Sequence, residues 1–380
     1  MRVGYVAVRA QGLDGWGRYT VETVRAVRER GIEPVLITAD PEMDPALDGI
    51  ERHVVIPRPL AGPFSGPLSL TAAGRLRRVL RTCDVVHGIV ELYGPLISWS
   101  RPRRLPYVQT AHGSWAALPL RTPWRRWFYQ AALNRVDLLV VQSEYTRDQI
   151  ARGGRLPRHV VWPAGVRAGD FGGSDIAGLP TWAGAGPVIL SVGAMRSRKG
   201  HHVALEAVAR IQAQFPDLQF VIIGGGSKAG RTAVELPRLA EDLGLAGRAH
   251  FLGPVPFAEL AAWYRRADVF LLLPVNRGGT FEGLGLVYFE ASAAGKASVA
   301  TIDSGAAEAV IHEETGLLVP QNDPAAAAEA LIRLLGDDNL RLRMGDAARR
   351  RAQRFSWDHL AERLVGAYEA LVDGKQIEFA

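Results

Sequence analysis

One stretch, residues 269–295, limits the folds open to this chain more than any other. It starts with an apolar run over 269–273 that ends at a proline, which predicts a buried strand. The run over 286–294 predicts a helix that ends at a glycine. The turn between them, Gly283-Leu284-Gly285, therefore lies at a helix N-terminus, where free backbone N–H groups bind anions. Strand, glycine turn and helix in this order predict an α/β fold with an anion site at the end of a strand.

Two carboxylates flank that turn. Glu282 precedes the first glycine, and Glu290 lies about one turn into the predicted helix. A carboxylate beside a phosphate site is suited to accept a hydrogen bond from a hydroxyl of a sugar or a ribose. The pattern thus predicts a ligand that carries both phosphate and sugar. The alternative is an ordinary strand–turn–helix with two surface glutamates.

The sequence Glu-Gly-Leu-Gly-Leu-Val-Tyr-Phe-Glu-Ala over 282–291 resembles the signature of the retaining GT-B glycosyltransferases of the family 4 type, the glycosyl transferases group 1. The resemblance spans nearly the whole chain and is strongest over 188–320. It implies an α/β protein with the GT-B fold, in which two Rossmann-like domains with parallel sheets face each other across a cleft. It also implies transfer of a sugar, with retention, from a UDP- or GDP-sugar to a hydroxyl of a glycan, glycolipid or small molecule.

The composition is that of a globular protein with two domains of ordinary size. The chain has 380 residues, of which 48% are hydrophobic and 22% charged. Its single cysteine, Cys83, excludes an internal disulfide and a cysteine-based metal cluster. No apolar run approaches the ~20 residues that span a bilayer, and residues 1–8 predict a first strand rather than a signal peptide. We expect a cytoplasmic protein.

The charge is unevenly divided along the chain. Residues 1–170 contain 24 arginines and no lysine against 15 acidic residues, a balance of +9, whereas the whole chain carries +6. This excess fits an anionic acceptor or an acidic membrane surface, which would place the protein peripherally at the inner membrane face. A compositional bias toward arginine explains it equally well. We expect no nucleic acid partner.

The segment over 124–129, Trp-Arg-Arg-Trp-Phe-Tyr, is both basic and aromatic. It could rest on a membrane surface with its aromatic rings at the level of the headgroups. The alternative, which we favour, is a helix whose aromatic side chains pack on the sheet.

The N-terminal strand leads into a glycine-rich loop and a helix, as in a Rossmann-like half. Its glycines, Gly15 and Gly17, do not complete Gly-x-Gly-x-x-Gly because position 20 is Thr. Asp40 follows the second strand, where a dinucleotide fold places its ribose ligand, so a nicotinamide-dependent dehydrogenase is an alternative. By the family resemblance, Gly15 and Gly17 contact the donor diphosphate or the acceptor.

His112 follows a predicted strand over 107–110. Open α/β sheets bind ligands at the carboxyl ends of their strands. The resemblance implies that His112 contacts the donor sugar near the reacting carbon, from the N-terminal domain.

A second basic loop follows the strand over 188–192. Arg196, Arg198 and Lys199 stand just before Gly200 and a helix, an arrangement that suits a diphosphate. Many family members carry an arginine directly after the strand's glycine, but Ala194 occupies that position here. We expect Arg196 or Arg198 to supply the guanidinium that, with Lys199, neutralises the leaving diphosphate.

The remaining assignments follow from the resemblance. Glu282 would hold a hydroxyl of the donor sugar, and Glu290 would bind the ribose. No cofactor is implied beyond the donor substrate, and no metal, since no Asp-x-Asp occurs in the chain. A sugar-nucleotide epimerase on the same fold is an alternative function.

The predicted organisation has four parts. An acceptor-side domain spans 1–170, a linker 171–187 and a donor domain 188–355, and the terminal helix over 356–380 crosses back to the first domain.

Overall fold

The computed structural model describes residues 1–12, 14–58, 70–225 and 231–377, with the backbone alone for 231–233. The chain forms two compact units. Unit 1 consists of Met1–Gly165 with Trp357–Ala380, and unit 2 consists of Val166–Ser356.

The described part of unit 1 is built on one sheet of seven parallel strands with the order β3-β2-β1-β4-β5-β6-β7. The order reverses between β1 and β4, and ligands bind beside such a switch point at the carboxyl ends of the strands. The strands are β1 (Arg2–Ala7), β2 (Glu33–Thr38), β3 (Glu51–Val54), β4 (Val85–Gly88), β5 (Tyr107–Ala111), β6 (Leu138–Val141) and β7 (His159–Val161).

Helices connect these strands and cover both faces of the sheet, which explains why most strand residues are buried. Two of these helices begin at a polar N-cap, since the side chains of Asp14 and Ser143 accept backbone N–H groups of the first turn. The helices are α1 (Gly15–Arg28), α2 (Ala73–Leu80), α3 (Gly94–Ser100), α4 (Ser114–Arg121), α5 (Pro123–Leu133) and α6 (Glu144–Gly153).

The described part of unit 2 contains six parallel strands with the order β10-β9-β8-β11-β12-β13, which again reverses in the middle, between β8 and β11. The strands are β8 (Val188–Val192), β9 (Gln219–Ile223), β10 (Ala249–Gly253), β11 (Val269–Leu271), β12 (Ala297–Thr301) and β13 (Gly316–Val319). The helices are α7 (Ala168–Phe171), α8 (His201–Ile211), α9 (Arg231–Asp242), α10 (Phe257–Arg266), α11 (Leu286–Ala293), α12 (Ala306–Ala309), α13 (Pro324–Gly336) and α14 (Asp338–Ala352).

The terminal helix α15 (Trp357–Val372) belongs to unit 1, where it packs against α1. The apolar spacing of this helix predicts one face with Leu360, Leu364, Tyr368 and Leu371. The first three are buried, and Leu371 is half-buried.

The predicted fold class, two parallel-sheet α/β domains, is confirmed. The segment over 171–187, expected as a linker, is grouped with unit 2. Phe171 explains this grouping, because it is fully buried with its ring centroid 5.4 Å from that of Tyr264. Over the described ranges, no helix has both the length and the apolar character needed to cross a bilayer.

Candidate active site

In unit 2 the predicted site residues other than Glu290 lie in the loops that follow β8 and β11, the two strands at the switch point. The strands are hydrogen-bonded neighbours, so their carboxyl ends lie side by side. The loops are also joined, since the N–H of Val275 donates to the carbonyl of Arg198 at 2.8 Å. Residues far apart in sequence, around 198 and around 282, are thereby brought together.

Each loop passes into a helix through a glycine with positive φ. Gly200 (φ 69°) precedes α8, and a Cβ there would lie 1.6 Å from the carbonyl oxygen of Leu273. Gly285 (φ 83°) is the N-cap of α11, and a Cβ there would lie 2.6 Å from the ring of Tyr288. A side chain at either position would clash as well as strain the backbone. These glycines thus place two helix N-termini, both suited to anions, beside one another in unit 2.

An ion cluster occupies the space between the two loops. Oε2 of Glu282 lies 2.8 Å from Nζ of Lys199 and 2.8 Å from a terminal nitrogen of Arg198. Glu282 is only 7% exposed and Lys199 is 9% exposed, so water screens the cluster weakly. The cluster carries two positive charges and one negative charge, which leaves an excess of one positive charge for an anion.

The two cations fix the ionisation of the carboxylate. Burial alone would raise the pKa of Glu282, but the charges and hydrogen bonds of Lys199 and Arg198 outweigh burial and lower it to about 2. Burial lowers the pKa of Lys199, and the charge of Glu282 opposes that effect. Glu282 is therefore an ionised acceptor over the whole range in which proteins are assayed.

The structure distinguishes the two candidate arginines. Arg198 lies in the cluster with its side chain 28% exposed. Arg196 is exposed, and its side chain makes no ion pair with any residue in the described ranges. Of the pair left open by the sequence, Arg198 is thus the one that accompanies Lys199.

Glu290 lies on the second turn of α11 and is buried. Its Oε2 accepts a hydrogen bond of 2.8 Å from the hydroxyl of Tyr264 on α10. Sequence reasoning missed Tyr264, because nothing local to that helix indicates a contact 26 positions away.

The Gly283-Leu284-Gly285 turn is fixed by a neighbouring loop. The N–H of Gly305 donates to the carbonyl of Glu282 at 3.0 Å, and Leu284 is buried. The turn is therefore fixed just before the N-terminus of α11.

In unit 1, His112 lies directly after β5, as predicted. Its Nε2 lies 2.8 Å from the carbonyl oxygen of Ile89, and its ring meets that of Tyr19 edge to face at 4.6 Å between centroids. Burial lowers the pKa of His112 to about 4, so the imidazole is neutral at pH 7. A carbonyl can only accept, so Nε2 carries the proton and Nδ1 is left as an acceptor.

Gly15 and Gly17 both lie in the first turn of α1. The N–H of Gly17 donates to the Asp14 side chain at 2.8 Å, and a Cβ at position 17 would lie 1.9 Å from the carbonyl oxygen of Gln11. Packing therefore requires a glycine at position 17, whereas a Cβ at Gly15 would meet no atom within 4 Å.

The carboxylate that suggested a dinucleotide site has a structural role instead. Asp40 forms ion pairs with Arg9 and Arg58. This pairing and the incomplete glycine pattern both disfavour the dehydrogenase alternative.

Comparison with known proteins covers both halves of the chain. Residues 13–169 match the family described as Glycosyltransferase Family 4, and residues 180–351 match Glycosyl transferases group 1. D-inositol 3-phosphate glycosyltransferase of Corynebacterium jeikeium is 32% identical over 98% of this chain and 97% of its own length. A GDP-mannose-dependent alpha-(1-6)-phosphatidylinositol monomannoside mannosyltransferase of Mycolicibacterium smegmatis is 32% identical over 79% of this chain and 81% of its own.

Solved structures share the fold. Sucrose-phosphate synthase from Thermosynechococcus elongatus superposes with a TM-score of 0.81 at 24% identity, covering 99% of this chain and 100% of that one. HepE of Anabaena, solved in complex with UDP and glucose, has a TM-score of 0.81 at 18% identity over 97% and 100% of the two chains. With its family matches and relatives, the chain is a glycosyltransferase with the GT-B fold and belongs to the family 4 type of the glycosyl transferases group 1.

Proposed function

We propose that the chain transfers a sugar from a nucleoside diphosphate sugar to a hydroxyl acceptor with retention of anomeric configuration. The observation that carries the proposal is the cluster of Glu282, Lys199 and Arg198 beside the N-terminus of α11. It combines the two things that such a donor requires, cations for the diphosphate and an ionised acceptor for a sugar hydroxyl.

The cluster would act mainly on the leaving group. Negative charge grows on the diphosphate as the glycosidic bond to it breaks. Lys199, Arg198 and the backbone N–H groups of the 283–285 turn are fixed before the reaction, so they stabilise that charge without reorganising. Such electrostatic stabilisation is usually the largest catalytic contribution.

The remaining roles are those that the family resemblance implies. Glu282 accepts a hydrogen bond from the donor sugar and Glu290 binds the ribose. Nδ1 of His112 accepts a hydrogen bond from a sugar hydroxyl, since Nε2 already donates to the carbonyl of Ile89. For retention, the acceptor attacks from the face that the diphosphate leaves, and a leaving phosphate oxygen takes the acceptor's proton.

For the donor we propose a UDP- or GDP-sugar, and for the acceptor a hydroxyl of a phosphate-bearing polyol. The names of both relatives join inositol to phosphate, and one names GDP-mannose as the donor. The arginine excess of residues 1–170 supports an anionic acceptor.

We further propose that α5 contacts an anionic membrane surface. Trp127 is 77% exposed and Trp124 is 56% exposed, and Arg126 between them is also exposed. The other two aromatic side chains of this segment pack inward, with Phe128 stacked on Trp99 at 4.9 Å and Tyr129 buried. Exposed tryptophans beside arginine suit the headgroup region of an anionic bilayer.

The test measures nucleoside diphosphate release from UDP- and GDP-sugars with and without phosphorylated polyols. Proton NMR of the product then gives its anomeric configuration. We expect release that depends on the acceptor, a retained product and little sensitivity to EDTA. An inverted product would refute retention, and abolition by EDTA with rescue by Mn²⁺ would refute metal independence. Donor turnover that needs no acceptor would favour the epimerase alternative.

A further inference from the structure

A buried carboxyl group lies behind His112 and is absent from the mechanism above. Glu91 begins a short 3-10 helix, Glu91–Tyr93, just after β4, and is 7% exposed. Its Oε1 accepts the backbone N–H of His112 at 3.3 Å. We propose that Glu91 is a positioning residue that fixes the turn carrying His112 and thereby aims the imidazole. The catalytic part of this inference rests on the role proposed for His112.

Two contacts tie His112 to one short segment. The ring is held through Nε2 by the carbonyl of Ile89, and the backbone is held through its N–H by Glu91, two residues further on. Since ring and backbone are fixed independently, the direction of Nδ1 is determined by residues 89–91. Removing the Glu91 acceptor would release the backbone and leave the ring anchored at one point.

The other oxygen of Glu91 lies in very different surroundings. Oε2 is buried and makes no hydrogen bond to any residue of the described ranges. Glu91 lines a cavity of about 40 Å³, whose other walls are mainly apolar or aromatic and include Trp115, Leu120 and Tyr129. Burying an ionised carboxylate beside such a cavity costs free energy, whereas the protonated acid is neutral and its Oε1 can still accept the N–H of His112.

The titratable neighbours do not supply a compensating charge. The imidazole of His112 is neutral near pH 7, and the other titratable groups around the cavity are the phenols of Tyr107 on β5 and Tyr129 on α5. Burial raises the pKa of Glu91 to about 8, although the backbone N–H groups of Glu91, His112 and Gly113 oppose it. The acid is therefore largely protonated at pH 7 and ionises as the pH rises through about 8.

Glutamine reproduces the protonated form and cannot ionise, which gives a matched pair of variants. Glu91→Gln keeps an acceptor oxygen for the turn, and Glu91→Leu removes it with little change of volume. We expect the wild-type kcat to fall above about pH 8, as Glu91 ionises. Glu91→Gln should retain kcat within about threefold at pH 7 and should not show that fall. We expect Glu91→Leu to lower kcat at least tenfold while the affinity for free nucleoside diphosphate stays unchanged. Glu42→Gln, an exposed glutamate of unit 1, is the control.

Ring NMR of His112 tests the positioning without turnover. In the wild type the His112 signals should shift with a midpoint near pH 8, and in Glu91→Gln they should not. An alkaline shift of equal size in both proteins, or unchanged His112 signals in a folded Glu91→Leu, would overturn the proposal. If Glu91→Leu fails to fold, the comparison with Glu91→Gln still decides. If the ring signals respond as expected but kcat does not, Glu91 positions the turn and the role of His112 in the proposed function is wrong.

Discussion

Nζ of Lys199 lies 2.8 Å from Oε2 of Glu282, and the same oxygen receives a hydrogen bond from Arg198. One carboxylate therefore neutralises part of the charge of both cations proposed for the diphosphate. A bound diphosphate would contact Lys199 and Arg198 while both also pair with Glu282. A hydroxyl of the donor sugar would donate to Glu282 while that carboxylate also pairs with the two cations. With the roles proposed above, the cluster would couple recognition of the leaving group to recognition of the sugar.

The Glu282→Gln variant tests this coupling. Because the cations lose their internal counter-charge, nucleoside diphosphate should bind the variant at least as tightly as the wild type. kcat should fall about 10²-fold, since the contact to the sugar strengthens only in the transition state. Calorimetry with UDP and GDP, together with steady-state kinetics, gives both values. Weaker nucleotide binding would show that Glu282 contacts the nucleotide rather than the sugar.

The Glu290→Gln variant should behave in the opposite way. Ribose does not change during the reaction, so a contact to it stabilises ground and transition states equally and affects KM rather than kcat. We expect the donor KM and the nucleotide dissociation constant both to rise about tenfold, in keeping with the loss of a charged hydrogen bond. The acceptor oxygen for Tyr264 is retained, which limits structural damage. A large fall in kcat at unchanged nucleotide affinity would reverse the assigned roles of the two glutamates.

Arg198→Gln and Arg196→Gln form a matched pair of variants, one and three residues before Lys199. Arg198 lies in the buried cluster, so its loss should lower kcat by about 10-fold to 10²-fold. Arg196 is exposed, so its loss should leave kcat within about twofold. Steady-state kinetics at saturating donor distinguish the two. Equal losses would mean that the exposed arginine also reaches the diphosphate.

Substitutions on α5 test the membrane surface. Replacing Trp127 and Arg126 with serine should release the protein from vesicles that contain anionic lipid, because both the aromatic anchor and the charge are removed. Co-sedimentation measures the bound fraction, and acceptor-independent nucleotide binding should be unaffected. Leu342→Ser is the control, since Leu342 is 63% exposed but lies on α14 in unit 2. Equal binding by the two variants would favour a plain arginine bias in the composition.

The features that the sequence predicted depend on neighbouring residues, whereas those it missed depend on contacts between residues far apart in the sequence. The strand, the Gly283–Gly285 turn and the helix after it were predictable because turn chemistry and helix boundaries depend on neighbouring residues. The choice between Arg196 and Arg198 was not, because it depends on how a 3-10 turn, Ser197–Lys199, orients successive side chains toward residue 282. Tyr264 was missed for the same reason, since it meets its partner only after the sheet assembles.

Polar groups that serve the fold also escaped sequence reasoning. Glu91 stands in an apolar stretch without a periodic pattern. Only the tertiary structure shows that its carboxyl group accepts the backbone N–H of His112. The reverse holds for Gly17. Its place in a glycine-rich loop indicated a ligand, and the structure shows that close packing on Gln11 already requires it.

Acid should destabilise unit 1 through a histidine outside the proposed mechanism. His87 is fully buried at the end of β4, with Nδ1 2.6 Å from the hydroxyl of Tyr368 on α15 and Nε2 2.8 Å from Oγ1 of Thr110. Burial, aided by the charge of His112, lowers the pKa of His87 to about 3. The unfolded chain, in which a histidine titrates near 6.5, therefore binds more protons than the folded one below that pH. The free energy of unfolding should be unaffected by His87 above about pH 6.5 and should decrease as the pH falls from there toward 3.

Two variants separate this proton linkage from the loss of a hydrogen bond. His87→Gln removes the titration, so its free energy of unfolding should fall less steeply with acid than that of the wild type. The difference should approach ~1.4 kcal/mol per pH unit, the value for one proton. Tyr368→Phe removes the contact to Nδ1 but keeps the histidine, so its curve should lie lower than that of the wild type and run parallel to it. Carboxylates such as Glu282 titrate alike in all three proteins and cancel in the comparison.

Denaturant titrations between pH 8 and pH 4.5, followed by tryptophan fluorescence, measure the slopes. Parallel curves for His87→Gln and the wild type would show that His87 takes up its proton in the folded protein as readily as in the unfolded chain.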